Sequence, residues 1–138
     1  MISLVYISSA IVPFTDRQLA ELLAQSRENN TRAGITGMLV YKGGNFMQLI
    51  EGEDDAIDSL QAKIRQDSRH CGMISLLREP ISERLFQGWS MGFRNLQSPD
   101  VQSMEGFSDF MNYDLTGQDF RDNPSMAQKL LLSFKKTM

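Results

Sequence analysis

The stretch Asn45-Phe46-Met47-Gln48-Leu49-Ile50-Glu51-Gly52 predicts a buried β-strand with a glutamine at its centre. Strands that are buried on both faces are usually continuous apolar runs, so the carboxamide of Gln48 needs a physical reason. Leaving its donors or its acceptor unpaired would cost roughly 1–3 kcal/mol for each group, a large share of the stability of a small domain. Something polar must therefore meet Gln48 inside the fold.

The segments on either side of this strand predict the order β-α-β-β-α-β-β. Lys42-Gly43-Gly44 joins the Gln48 strand to the strand before it, and that spacing is a hairpin signal. Apolar residues at helical spacing predict the two helices, and Asn29-Asn30 are expected to close the first. The predicted elements are strand 2–8, helix 15–30, strand 34–41, strand 45–52, a helix that begins within 51–55, strand 73–78 and strand 88–95.

This order predicts an α+β, ferredoxin-like sheet with both helices on one face. The strands are apolar on both sides, so the other face also needs a cover. Two amphipathic helices are predicted after the sheet, one from Ser98-Pro99-Asp100 and one from Asn123-Pro124. We therefore expect residues 1–95 to form the main domain and residues 96–138 a helical extension of the same structural unit, which covers the other face of the sheet, forms a dimer surface, or does both.

The composition excludes several classes of protein. A length of 138 residues fits one domain, and a single cysteine and a single histidine provide neither an internal disulfide nor a zinc site. The net charge of -3 argues against a protein that binds DNA or RNA through phosphates. The apolar runs are too short for a membrane span, and the expected location is the cytoplasm.

Strand periodicity predicts which side chains meet Gln48, because alternate residues share a face. Tyr6 on the first strand is expected to share its face, together with Trp89 and Met91 on the last strand. Each has an ordinary explanation as a core residue, and Asn29 and Asn30 have one as helix C-caps. Their combination around a central glutamine is harder to explain by packing alone. A bulge would reverse the direction of Trp89, so its orientation stays open.

Taken together, the motifs resemble a known family. They are Asn29-Asn30, Gly34-Ile35-Thr36-Gly37-Met38-Leu39, Phe46-Met47-Gln48-Leu49-Ile50-Glu51-Gly52, Asp67-Ser68-Arg69-His70 and Trp89-Ser90-Met91. In this order and spacing the chain resembles the BLUF family, sensors of blue light using FAD, over roughly residues 1–95.

The resemblance implies a non-covalently bound FAD between the two helices, with its ring edge at Gln48. The cofactor-binding residues that it implies are Ser26, Asn29, Asn30, Gln48, Lys63, Asp67, Arg69 and His70, and the photoactive ones are Tyr6, Gln48, Trp89 and Met91. Relatives often carry arginine at position 63. Lys63 supplies the same positive charge but lacks the planar guanidinium group that binds an anion through two parallel hydrogen bonds. The implied photochemistry is electron transfer from Tyr6, followed by a lasting rearrangement of the hydrogen bonds of Gln48.

The resemblance also implies a sensor that turns over no substrate. Its signal would pass to a downstream signalling protein or through a change in assembly, and we expect a homo-oligomer. One alternative is a flavin-free interaction module on the same fold. A hydrolase of the acylphosphatase type is a second alternative, but residues 8–13 contain neither the arginine nor the glycine of an anion cradle.

Overall fold

The computed structural model describes residues 1–42, 44–88 and 90–95, which form one five-stranded sheet and two helices. The elements are β1 (Ile2–Ala10), α1 (Asp16–Ala33), β2 (Thr36–Lys42), β3 (Asn45–Gly52), α2 (Asp54–Gln66), β4 (His70–Pro80) and β5 (Gly92–Asn95). The predicted order of elements is confirmed. Both predicted C-terminal helices fall on residues outside the described part of the chain.

The sheet has the strand order β4-β1-β3-β2-β5, with β1 and β3 adjacent near its centre. The pairs β1–β4, β1–β3 and β3–β2 are antiparallel, and β5 runs parallel to β2 at the edge. This is the predicted ferredoxin-like arrangement with one added edge strand. The register places Tyr6 on one side of Gln48 and Leu39 on the other, so the three side chains share a face.

Helix α1 begins and ends at residues whose chemistry explains both boundaries. Thr15 and Gln18 form a capping box, in which each side chain accepts a hydrogen bond from the other's backbone N–H. Gly34 ends the helix in the left-handed conformation, with φ of 69°. The prediction that Asn29 and Asn30 close the helix is therefore wrong, because both lie inside its last turns and Gly34 provides the stop.

Other boundaries also differ from the sequence prediction. Strand β4 is longer than predicted because it pairs along β1 from Ile2 to Ala10, although its residues at the sheet edge are exposed or only partly buried, which weakens its apolar pattern. Strand β5 is shorter than predicted and begins only at Gly92. Helix α2 begins at Asp54, with Glu53 as N-cap, so Glu51 and Gly52 belong to β3 and not to the helix.

Both faces of the central strands are buried. Toward the helices lies a core of Ile2, Leu4, Leu19, Leu23, Ile35, Leu39, Tyr41, Phe46, Ile50, Ile57 and Met91. On the opposite face Val5, Met38, Val40, Met47 and Leu49 are fully buried. Burial on both sides explains why β3 is an almost continuous apolar run.

In the described part of the chain, neither helix has the length and apolar character needed to span a bilayer.

Gly37 allows β2 and β3 to approach each other closely. A Cβ atom built on Gly37 would lie 2.1 Å from the backbone oxygen of Leu49, well inside van der Waals contact. The Leu49 oxygen belongs to the backbone of a buried strand and cannot move away from an added methyl group. Gly37 is thus required for the strand pairing that places Leu39 beside Gln48.

The variant Gly37→Ala should lower the free energy of unfolding by about 1–3 kcal/mol or more, because the added methyl group must push two buried strands apart. Urea denaturation measures the loss. Gly52→Ala is the matched control, since its added Cβ would lie 3.2 Å from the oxygen of Gly34, and it should cost clearly less. Equal losses in the two variants would contradict this role of Gly37.

Candidate functional site

A cleft opens between α1 and α2 above the helix-facing side of the sheet. Its cavity volume is about 220 Å³, and the open space around it, which continues into solvent, reaches about 930 Å³. Residues of α1, α2, β1, β2, β3 and the start of β4 line it. The cleft is therefore bounded by both helices and the sheet and opens to solvent.

The eight residues that the sequence predicted to bind a cofactor all line this one cleft. They are Ser26, Asn29 and Asn30 from α1, Gln48 from β3, Lys63 from α2, and Asp67, Arg69 and His70 around the α2–β4 connection. Asn30 and Gln48 are buried, whereas Asn29, Lys63 and Arg69 are exposed. The cleft thus combines two buried carboxamides with exposed polar and charged groups.

Gln48 is hydrogen-bonded at both ends of its carboxamide. The hydroxyl of Tyr6 donates to Gln48 Oε1, and Gln48 Nε2 lies 3.3 Å from the sulfur of Met91, to which it donates. All three side chains are at most 6% exposed. The polar partner that the sequence required is therefore Tyr6 on one side and a thioether on the other.

Tyr6 is held in its neutral form. Burial raises the pKa of its phenol well above the ordinary value of 10.0, and the negative charge of Asp67 raises it further. The phenol consequently keeps its proton at physiological pH and remains a hydrogen-bond donor to Gln48.

Helix α1 holds the segment that carries Met91. Asn30 Nδ2 donates to the carbonyl oxygen of Ser90 at 2.9 Å, and Arg27 Nε donates to that of Met91, also at 2.9 Å. These bonds keep the Met91 side chain beneath Gln48. Trp89, the other predicted photoactive residue of this segment, lies outside the described residues.

A charged group lies at the α2–β4 end of the cleft. Arg69 Nε donates to Asp67 Oδ1 at 3.0 Å, and Arg69 Nη2 donates to Asp67 Oδ2 at 2.6 Å. The two side chains therefore form a bidentate ion pair. The hydrogen bond from Arg69 lowers the pKa of Asp67 below its ordinary value, so the carboxylate stays charged. Lys63 adds a second cation to the lining.

The surroundings of His70 are consistent with a ligand in the cleft. Its Nε2 atom contacts the carbonyl oxygen of Ile64, whereas its Nδ1 atom is buried without a hydrogen-bond partner in the described structure. An unpaired buried polar atom costs free energy unless something satisfies it. The cleft combines apolar walls, carboxamides, cations and this nitrogen. This combination suits the ring, the hydroxyl groups and the phosphates of a flavin nucleotide.

The sequence did not single out Glu51, which is fully buried at the end of β3. Its carboxylate accepts three hydrogen bonds, from the Thr36 hydroxyl at 2.9 Å, Leu85 N at 3.0 Å and Phe86 N at 2.7 Å. Arg84 reinforces this contact by donating to the backbone oxygens of Glu51 and Gly34. Glu51 therefore anchors the β4–β5 connection to the strand that carries Gln48. The feature of the sequence that could have indicated this role is a carboxylate within an apolar strand.

The chain also matches a protein-family model. Residues 1–92 match the model described as sensors of blue light using FAD. The chain is a member of the BLUF family. This confirms the resemblance, and the cofactor that defines the family is FAD.

BLUF relatives include larger light-regulated proteins. The chain is 40% identical over 86 residues to the photoactivated adenylate cyclase subunit alpha of Euglena gracilis, covering 62% of this chain and 8% of that protein. A beta subunit from Euglena longa is 37% identical over 90 residues, covering 64% and 10%. The chain thus spans about a tenth of the length of these cyclase subunits and corresponds to their BLUF part.

Solved BLUF structures share the whole arrangement. The dark-state structure of the BLUF protein BlrB has a TM-score of 0.73 at 31% identity, covering 93% of this chain and 96% of that chain. The photo-activated state of BlsA has the same TM-score at 29% identity, covering 95% and 94%. The fold derived above is therefore the BLUF fold.

The buried phenol predicts a loss of stability at high pH. Because the pKa of Tyr6 is raised in the folded state, its contribution to stability is complete below the ordinary pKa of 10.0 and is lost as the pH rises further. Urea denaturation above about pH 10 should show a steeper loss of unfolding free energy for the unaltered protein than for Tyr6→Phe. Parallel curves for the two proteins would rule out this effect of burial.

Glu51→Gln should lower the free energy of unfolding by about 1.5–3 kcal/mol, because the amide removes the charge and turns an N–H group toward a backbone donor. The amides of Leu85 and Phe86 should exchange hydrogen faster. Glu53→Gln is the matched control, since the Glu53 side chain is 79% exposed and makes no cap hydrogen bond. If both variants are equally stable, the anchoring role of Glu51 is wrong.

Proposed function

We propose that this chain is a blue-light photosensor in which Gln48 reverses its hydrogen bonds beside a flavin bound in the cleft. The observation that carries the proposal is the buried hydrogen-bonded chain from Tyr6 through Gln48 to Met91, in which Gln48 lines the cleft. Membership of the BLUF family supports FAD as the cofactor.

The lining suggests how the cofactor is held. Ser26, Asn29 and Asn30 would bind the polar end of the isoalloxazine ring, because amide and hydroxyl groups match its carbonyl and N–H groups. Lys63, Asp67, Arg69 and His70 would bind the ribityl chain and the phosphates. A bound flavin would supply blue-light absorption and an excited state that accepts electrons.

Tyr6 and Gln48 supply the switch. Tyr6 is the proposed electron donor, and its hydrogen bond gives the phenol proton a path to Gln48 Oε1. A carboxamide has a donor end and an acceptor end, so turning it over reverses what it offers to each neighbour. Neutral Tyr6 favours the observed orientation, because its O–H needs an acceptor.

Met91 links the switch to the rest of the fold. A thioether sulfur is a weak acceptor and has no proton to donate, so it suits the amide nitrogen of Gln48 and not the oxygen. Turning Gln48 over would bring an oxygen toward the sulfur and break that contact. The change would pass to the segment at 90–91, which Arg27 and Asn30 hold, and then into β5.

The output of this switch is carried by another protein or by assembly. We propose a downstream signalling partner, a homo-oligomeric state and no substrate turnover within this domain. The names of the cyclase relatives support such an arrangement, because there a BLUF part accompanies an enzyme. We place the protein in the cytoplasm, where the exposed thiol of Cys71 would stay reduced.

The variants Gln48→Leu and Tyr6→Phe test the mechanism. Both should keep bound flavin and lose the light-induced red shift, because the first removes the reversible amide and the second removes the proton donor. Light-minus-dark absorption spectra measure the shift. Gln66→Leu, at an exposed position of α2, is the control and should behave like the unaltered protein.

An unaltered shift in both Gln48→Leu and Tyr6→Phe would eliminate the mechanism. A purified protein that is colourless and cannot be reconstituted with flavin would instead support the interaction-module alternative.

A further inference from the structure

Arg27 connects helix α1 to the segment that carries Met91. It follows Ser26 along the helix, but it is an exposed residue and does not line the cleft. Its Nε atom donates to the carbonyl oxygen of Met91 at 2.9 Å, although the two residues lie 64 positions apart in the chain. Arg27 can therefore influence Met91 without contacting a ligand in the cleft.

The bond from Arg27 is stronger than the neighbouring bond from Asn30. A guanidinium donor is positively charged, and charge-assisted hydrogen bonds are roughly twice as strong as neutral ones. The bond from Asn30 Nδ2 to the carbonyl oxygen of Ser90, at 2.9 Å, joins two neutral groups. Arg27 also acts on the residue whose sulfur meets Gln48, whereas Asn30 acts on the residue before it. Among the described contacts with α1, the bond from Arg27 therefore has the larger effect on the backbone of Met91.

The contact between Gln48 and Met91 depends on where this backbone lies. Sulfur is a weak acceptor, and Gln48 Nε2 lies 3.3 Å from it. A methionine side chain is unbranched and flexible, so its sulfur adapts to the space that is offered. Pairing of β5 with β2 begins only at Gly92, opposite Met38. The bond from Arg27 to the Met91 carbonyl oxygen thus helps to fix the point from which the sulfur reaches Gln48.

We propose that Arg27 is a positioning residue that sets how fast the rearranged state of Gln48 returns to the orientation seen in the structure. By holding the Met91 carbonyl oxygen, it keeps the sulfur where the amide nitrogen of Gln48 meets it again. The inference rests on the proposed function, because it requires a Gln48 that turns over. Arg27 acts through Met91, since its described hydrogen bond joins it to Met91 and not to Gln48.

The variant Arg27→Met tests the proposal, because it keeps a long unbranched side chain and removes the donor. After a pulse of blue light, the FAD-loaded variant should return to its dark absorption spectrum at least about threefold more slowly than the unaltered protein, since the returning state lacks a hydrogen bond. Arg27→Lys should restore the rate to within about twofold, because a single hydrogen bond needs a charged donor but no planar fork.

The matched control is Arg32→Met, which makes the same change on the same helix. Arg32 pairs with Glu28 on the surface, and its side chain is 72% exposed. This variant should return to the dark spectrum at the rate of the unaltered protein.

Two further measurements separate this role from a general loss of stability. In a Met91→Leu background, which removes the sulfur, Arg27→Met should change the return rate no more than Arg32→Met does. The second measurement is methyl NMR in darkness, on protein labelled at its nine methionines. The ε-methyl signal of Met91, which Met91→Leu identifies, should be displaced in Arg27→Met and stay in place in Arg32→Met.

An unaltered return rate in Arg27→Met, or an equal slowing in the Met91→Leu background, overturns the proposal. A Met91 methyl signal that stays in place in Arg27→Met overturns it as well. Absence of any reversible light-induced shift in the unaltered protein instead overturns the proposed function, and the methyl NMR in darkness still shows whether Arg27 positions Met91.

Discussion

The carboxamide of Gln48, buried in the central part of the sheet and hydrogen-bonded at both ends, is the constraint on which the rest of the structure depends. Each unpaired end would cost about 1–3 kcal/mol, so the fold must deliver one acceptor and one donor to the same point. The antiparallel register of β1 and β3 delivers the Tyr6 hydroxyl, and the segment before β5 delivers the Met91 sulfur. The two bonds differ in strength, because sulfur is a weak acceptor.

Strand β3 combines a weak contact with a strong one. Gln48 meets neutral partners, and the Met91 sulfur to which it donates is a weak acceptor. Three residues further on, the Glu51 carboxylate holds the backbone N–H groups of Leu85 and Phe86 through charge-assisted bonds, which are roughly twice as strong as neutral ones. The connection from β4 to β5 is therefore held at Leu85 and Phe86 by Glu51, and at Ser90 and Met91 by Asn30 and Arg27.

Much of the fold could be predicted from the sequence, because it depends on local patterns, and strand alternation placed Tyr6 and Gln48 on one face. Ser26, Asn29 and Asn30 were instead implied by the resemblance to the BLUF family. What could not be predicted depends on tertiary contacts. The true end of α1 is set by Gly34, the length of β4 by its pairing with β1, and the role of Glu51 by backbone groups more than 30 residues away.

The reversal of Gln48 beside a bound flavin is tested most directly by the absorption spectrum of the purified, unaltered protein in darkness and under blue light. The account predicts a small red shift of the flavin bands that appears without bleaching and reverses in the dark, because only hydrogen bonds to an oxidised flavin change. Bleaching of the bands, or a spectrum that blue light does not alter, would contradict it.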